Sequence, residues 1–557
     1  MGSLDLPAVD YDVLIVGAGF SGVCALHHIR EQFPSWRVKL LEASPSVGGT
    51  WYLNRYPGAR VDTESLSYQF SWDKELLNEW HWKETFSGQP DVLSYIERVC
   101  EKHDLYKDMQ FNTRIASAHW IEDTHSWLFT DAEGSQYRAR FFVSCLGFLS
   151  QPTLPLIPGI ENFSGQAFHT SNWPKDLNYK KDLAGKRVGV VGTGATGIQT
   201  ITAIAKESNV ESLTVFQRTA NWSAPLRNEP ISPGQMKKLA ETYDDVFAQC
   251  ARTSSGFLYA ADPRKSSEAT QEERTALWDK LYNEPGFGKW LAVFKDTYTD
   301  REANRLYTEY MAAKIRARVN DPEIADSLVP KDHGFGLRRI PLESGYFEVY
   351  NQPNVHLVDL KQTPIESVGT SAINTSDGKN HELDVLIFAT GFDAITGSYS
   401  PIDFRGRNGR PLLGHSDSES GKRAIWVDHK PKTYLGITAP DMPNTFMVLG
   451  PHQPFGNGTR SLENAVDVVC TMLRHIYEHK HTFVEPKPEA VQEWGEHVVD
   501  CSKGLLLNDV DSWMTGVNKN VKGKQERSVA RYVGNVVEYR KRCSESARLG
   551  WQELSFA

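Results

Sequence analysis

Two short apolar runs, each passing straight into a glycine-spaced turn, set the plan of the chain. The first, Tyr11-Asp-Val-Leu-Ile-Val16, has the apolar character of a strand buried on both faces. It leads into Gly17-Ala-Gly19-Phe20-Ser21-Gly22; Val23 to Arg30 then reads as helix and Trp36 to Leu41 as the next strand. The pattern recurs once, with Lys186 to Val191 as strand, Gly192-Thr193-Gly194-Ala195-Thr196-Gly197 as turn, a helix, and Glu211 to Gln217 as the following strand. Two further strand-like runs, Phe141 to Leu146 and Asp384 to Thr390, end at Gly147 and Gly391 and read as exits between the two units. Between them the period changes to that of helices. Thr270-Gln-Glu-Glu273 is a capping box ahead of Leu277, Trp278, Leu281 and Tyr282. Asp300 caps a second helix whose inner side is read as Leu306, Tyr310, Ala313 and Ala317.

The order predicts an α/β fold: two Rossmann-like dinucleotide-binding domains, with a helical insertion in the second. The first domain is expected at 1–148 and 386–557, the second at 149–222 and 334–385, and the insertion at 223–333.

The turns carry chemistry because glycine lets a backbone approach a pyrophosphate at a helix N-terminus. In the first unit Glu42 lies 20 residues past Gly22, placed to accept from ribose hydroxyls. In the second unit the same place, 21 residues past Gly197, holds Arg218, followed by Thr219. A guanidinium clamps a 2′-phosphate that a carboxylate would repel. The first site is therefore expected to take a dinucleotide with free ribose, most simply FAD, and the second NADPH.

Composition removes several alternatives. Among 557 residues, 61 Lys and Arg against 70 Asp and Glu give a net charge of −9 with no basic stripe, which argues against nucleic acid. Seven cysteines without a C-x-x-C predict reduced thiols, a cytoplasmic setting and no metal site. The stretch Gly48 to Asp62 contains no cysteine, so the dithiol of flavin disulfide reductases is missing. An acidic start, Leu6 in place of a myristoylation hydroxyl, and no apolar run near the ~20 residues of a membrane span give no signal, lipid or membrane expectation.

Phe163-Ser-Gly165-Gln-Ala-Phe-His169-Thr-Ser-Asn-Trp173-Pro174 resembles F-x-G-x-x-x-H-x-x-x-W-[PD], the fingerprint of type I Baeyer–Villiger monooxygenases. Gly48-Gly49-Thr50-Trp51 through Arg55-Tyr-Pro-Gly58 to Asp62 is similar to a second motif of that family. Trp513-Met-Thr-Gly516-Val-Asn518 is similar to a third, so the matches span residues 11 to 524.

The resemblance implies an FAD- and NADPH-dependent enzyme in which reduced flavin and O2 give a C4a-peroxyflavin that attacks a ketone, yielding an ester or lactone. It implies FAD contacts from Gly17, Gly19, Phe20, Ser21, Gly22, Glu42, Gly49, Thr50, Trp51, Asp62 and Tyr68. It implies NADP contacts from Gly192, Thr193, Gly194, Ala195, Thr196, Gly197, Arg218, Thr219, Arg338, Arg339 and Trp513. In Gly336-Leu-Arg338-Arg339 the second base matches the family's active-site arginine, a fixed charge near the peroxide, and Asp62 matches the aspartate that orients it. Phe455, Gly456 and Asn457 fall in the loop lining the family's substrate pocket, but this loop departs from the common small, apolar version and ketone size does not carry over.

Read alone, His169 is a structural histidine and Trp173-Pro174 a stiffened linker. Heteroatom-oxygenating flavin monooxygenases share much of the pattern but end the fingerprint in an aromatic and a basic residue. A non-catalytic flavin or NADP sensor is the alternative from another class. The expected partners are a ketone and O2, with oligomeric state open.

Overall fold

The computed structural model describes residues 9–557. Leu6 and most of the acidic start lie outside the described residues. Tyr11–Val16 is an interior strand of an eight-stranded sheet, with Val13, Leu14 and Ile15 fully buried. It pairs in parallel with Val38–Leu41 on one side and Gln136–Ser144 on the other. Beyond Gln136–Ser144 the sheet turns antiparallel through Ser126–Asp131 and Ile115–Ile121. Late segments then complete it: Asp403–Arg405 pairs with Ile115–Ile121, and Thr445–Met447 pairs with Gln136–Ser144. The helix Phe20–Gln32 is buried nearly all round, between its own sheet and the long helix Gly458–His479.

A second, wholly parallel sheet orders Val355–Asp359, Ser212–Gln217, Arg187–Val191, Val385–Phe388 and Gln166–His169. Val385–Phe388 pairs on both sides within this sheet. The division expected between 385 and 386 therefore cuts a strand, and the chain leaves this sheet only at Ala389-Thr-Gly391.

Helices dominate the stretch between Pro233 and Ser327. The capping box at Thr270 forms as expected, with the Glu273 amide donating to the Thr270 hydroxyl at 3.2 Å and the Thr270 amide to the Glu273 carboxylate at 2.8 Å. Asp300 caps Arg301–Arg316, accepting from the Glu302 and Ala303 amides. The inner face of that helix differs from expectation. Tyr307, Met311 and Ile315 are buried, while Ala313 and Ala317 are exposed. Two stripes compete at helical spacing here, and the larger side chains win because they remove more apolar surface from water.

Candidate active site

Each glycine turn separates into positions that the fold requires and one that it leaves open. Gly17 has φ +107°, and a Cβ there would lie 2.3 Å from the Cys145 carbonyl; one on Gly22 would lie 1.8 Å from the Gly17 carbonyl. In the second turn Gly192 has φ +109° with the Ala389 carbonyl at 2.5 Å, and Gly197 meets the Gly192 carbonyl at 2.3 Å. Both turns thus pack on the backbone of a crossover strand. The middle glycines differ. A Cβ on Gly194 would meet nothing within 4 Å, and one on Gly19 only the Gly49 Cα at 3.7 Å. Neither Gly19 nor Gly194 offers a side chain to cap its 13-residue helix, so the first amides of each, from Phe20, Ser21, Ala195 and Thr196 onward, face the open space. Two such cradles fit two pyrophosphates. Gly194→Ala is expected to leave the melting temperature within about 2 °C and to raise the NADPH KM tenfold or more, because the added methyl crowds only the ligand; steady-state kinetics beside a thermal melt check both.

Glu42 is pinned at the mouth of the first cradle, one oxygen accepting from the Ala18 amide at 2.7 Å and the other from Ser44 at 2.6 Å. Each oxygen keeps a lone pair for a ribose hydroxyl. Gly49, at φ +52°, opens the short helix Thr50–Leu53, and Trp51 from that helix donates to the Tyr68 hydroxyl at 3.2 Å. Burial pushes the Tyr68 phenol up to about 12. Phe20 packs on Tyr68 with ring centroids 5.4 Å apart.

At the far end of the second cradle Thr193 donates to the Thr219 carbonyl at 2.9 Å, tying the turn to the strand end where Arg218 stands exposed. Arg218 has no acidic partner among the described residues. Arg338 and Lys361 approach the same carboxylate, Asp332, at 3.5 and 3.9 Å. Burial holds the Arg338 guanidinium below its ordinary value, with Asp332 opposing and Arg218 adding repulsion. Two guanidiniums that repel each other, one of them without an acid, fit a doubly charged 2′-phosphate. Arg218→Ala is expected to cost about 1.5–3 kcal/mol of NADPH recognition and to leave NADH use nearly unchanged. Equal losses with both cofactors would place the 2′-phosphate elsewhere.

The two units touch around Asp62. Tyr56 donates to the Gln199 side chain at 2.9 Å, and a Cβ on Gly58 would lie 2.8 Å from the Gln199 carbonyl, so the 55–62 loop is seated on the helix Ala195–Glu207. Arg339 donates from Nη2 to Asp62 Oδ2 at 2.8 Å, and the Leu342 amide reaches the same oxygen at 3.4 Å. The Asp62 side chain is 3% exposed and that of Arg339 is 36% exposed. Burial pushes the Asp62 carboxyl up, Arg339 chiefly opposing, and its Oδ1 has no partner. A sealed carboxylate thus steadies a guanidinium whose other face is open, between the two cradles, with its charge also felt at Tyr56 and Tyr68.

Trp513 and Phe455 share one apolar cluster with Leu149, Ala394, Ile395 and Ala530, where the two crossover strands end. Phe148 stacks on Phe455 at 4.7 Å. The expected pocket loop divides at this point. Asn457 is fully buried, its amide donating to the Ser67 hydroxyl at 3.2 Å, and Gly456 packs so closely on Ser255 that a Cβ would sit 1.8 Å from its carbonyl. Both are committed to the fold, and of the three only Phe455 stands with the cluster. His169 caps a short turn: Nδ1 accepts from the Ser171 amide at 3.1 Å and the Ser171 hydroxyl at 2.8 Å. Burial lowers its pKa to about 4, so the ring is neutral near pH 7.

Sequence reasoning passed over one device. Lys524, buried, donates to the carboxylate of Asp393 and to the Ala394 carbonyl at 2.8 Å, while Asn518 reaches the Phe392 carbonyl at 3.4 Å. The segment carrying Trp513 is thereby fastened to the crossover after Gly391. Its signal was a lysine inside a motif and an aspartate just after a strand end, with nothing local to pair them.

The flavin-binding monooxygenase-like family model matches residues 11–228. The chain is 39% identical to 2-oxo-Δ3-4,5,5-trimethylcyclopentenylacetyl-CoA monooxygenase of Pseudomonas putida, covering 96% of each chain. It is 38% identical to cyclohexanone 1,2-monooxygenase of Acinetobacter sp., covering 96% of this chain and 94% of the other. A phenazine N-monooxygenase of Lysobacter antibioticus is 36% identical over 98% of this chain and 96% of its own. The crystal structure of OTEMO in complex with FAD and NADP superposes with a TM-score of 0.92 at 38% identity, over 99% of this chain and all of the other. The chain belongs to the type I Baeyer–Villiger monooxygenases, within the flavin-binding monooxygenase-like flavoproteins.

Proposed function

We propose that the protein binds FAD in the first cradle and NADPH in the second and inserts one oxygen atom beside a ketone carbonyl, giving an ester or lactone. The balance is ketone, O2, NADPH and a proton in, and ester, NADP+ and water out. FAD, when bound, supplies the redox relay from NADPH to O2. The protein's own part is electrostatic and positional. Arg339 sets a permanent positive charge where negative charge develops on oxygen during attack on the carbonyl, and Asp62 keeps that guanidinium aimed. Arg218 and Arg338 select the 2′-phosphate; Trp513 and Phe455 exclude water from the junction of the crossovers. The carrying observation is the half-open Arg339 on the sealed Asp62 carboxylate between the two cradles.

The test is a ketone panel with NADPH, scored by mass for products gaining one oxygen. The N-oxygenating relative favours a second reading, oxygen transfer to an amine or sulfide nucleophile; amines and sulfides in the same panel separate the two. We assign the flavin to 1–148 with the chain after 391 and NADP to 149–222 with 334–391, the helical stretch lying between. No helix among the described residues is long and apolar enough to cross a membrane. All seven cysteines are unpaired, which suits a reducing compartment such as the cytoplasm.

A further inference from the structure

Arg531 stands out among the charged residues. It makes no hydrogen bond or ion pair with any described residue, and its Nε is sealed from solvent without a partner. The residue as a whole is nevertheless only half-buried. The guanidinium Nε is thus enclosed by protein while part of the residue still meets solvent. Burial alone lowers its pKa, to about 10, with no carboxylate opposing, so the guanidinium stays charged near neutrality.

The location is specific. Residues 529–532 run beside 452–454: the His452 amide donates to the Ala530 carbonyl at 3.0 Å, and the Tyr532 amide to Gln453 at 3.2 Å. Phe455 follows directly, and Ala530 packs in the cluster that holds Trp513 and Phe455. A cation kept only for the fold would be given an acid, since an uncompensated buried charge is costly. This one is held unpaired next to Ala530, which packs in the cluster of Phe455 and Trp513. Both cofactors' phosphates have other partners, in the two glycine cradles and in Arg218 with Arg338.

We infer that Arg531 is an anion anchor of the substrate pocket, and that the preferred ketones carry a carboxylate that pairs with it while the carbonyl lies at Arg339. The inference rests on the ketone-oxygenating reading. The planar fork matches a carboxylate through two parallel hydrogen bonds, and it fixes orientation as well as affinity.

The experiment uses the holoenzyme with NADPH and three keto acids, 4-oxopentanoate, 6-oxoheptanoate and 3-oxocyclohexanecarboxylate, each against its methyl ester. In at least one pair the acid is expected to be favoured tenfold or more in kcat/KM. Arg531→Met should remove that preference by lowering kcat/KM for the acids. Calorimetry should show the keto acid binding at least tenfold more weakly to the variant, about 1.4 kcal/mol. Arg531→Met should also melt at or above the wild-type temperature, because an unpaired buried charge is gone, and Arg531→Lys should keep part of the preference.

Wild-type enzyme that oxygenates the esters as well as or better than the acids in every pair would overturn the anchor and leave the oxygenase reading standing. So would a variant that loses acid and ester alike, or whose main change is a raised NADPH KM. If no compound gains oxygen, the oxygenase reading has failed; calorimetry then decides the anchor by itself, and absence of keto acid binding overturns it.

Discussion

Arg339→Ala is expected to lower ester or lactone formation by about 10²–10³ while NADPH oxidation persists and hydrogen peroxide accumulates. Both glycine turns lie elsewhere in the sequence and keep their residues, so FAD and NADPH should still bind. What disappears is the partly exposed guanidinium fixed at 2.8 Å on Asp62. Oxygen attacking a carbonyl develops negative charge, and without a fixed cation that charge must be met by water or a proton. Protonation of the activated oxygen favours loss of peroxide over attack. The variant also strands the Asp62 carboxylate in a sealed site, so Asp62 is expected to take up a proton, in line with the upward push that burial already exerts. Arg339→Lys should rescue only in part, because an ammonium lacks the planar fork and gives up its proton more readily when desolvated. The measurement is product formed and peroxide released per NADPH consumed. Near-normal product yield from the alanine variant would mean that the charge sits on another residue.

The second large effect concerns the Lys524–Asp393 pair. Lys524→Met should destabilise the protein by about 3–5 kcal/mol, since removing one partner leaves the other charge buried and unpaired. Burial already holds the Lys524 ammonium below its ordinary value, with Asp393 chiefly opposing, so the pair is desolvated and poorly screened. Its loss also releases the segment bearing Trp513 from the crossover after Gly391, leaving Asn518 as the remaining polar tie. NADP+ should therefore dwell less and the fraction of NADPH ending as peroxide should rise. Replacing both partners, Lys524→Met with Asp393→Leu, should recover part of the stability and less of the coupling. Denaturant unfolding of the three proteins, with peroxide yield alongside, tests the pair; a shift below about 1 kcal/mol for the single variant contradicts it.

What the sequence made legible, and what it did not, follows from how local each signal is. The two glycine turns were readable because each is a strand, a turn and a helix in immediate succession, and Gly17 and Gly192 admit no other side chain beside a crossover carbonyl. Arg339 and Asp62 were reachable through a resemblance alone, since their 2.8 Å contact joins residues 277 positions apart. A separation of 131 positions likewise hid Lys524 and Asp393. The burial of Asn457 against Ser67 was not legible, because the two residues are 390 positions apart. The inner face of Arg301–Arg316 failed for a different reason: alanines fit either side of a helix, so they carry no information about which side is in. Arg531 has no signature at all in the sequence, because what distinguishes it is the acid it lacks.

The interleaving of the two sheets has a consequence for how the protein is made. All five strands of the parallel sheet have been synthesised by residue 388, whereas the first sheet, begun at residue 11, still awaits Asp403–Arg405 and Thr445–Met447. At about 5–20 residues per second a ribosome takes on the order of 15–60 s to travel from Ser144 to Met447. During that interval Phe142 to Ser144 have no partner on the side that Thr445–Met447 will occupy. The half of the molecule that starts first is thus completed last. A nascent chain stalled near residue 400 should already hold NADP analogues yet exclude flavin, and its open strand edge is where chaperones would be needed and where misassembly would begin.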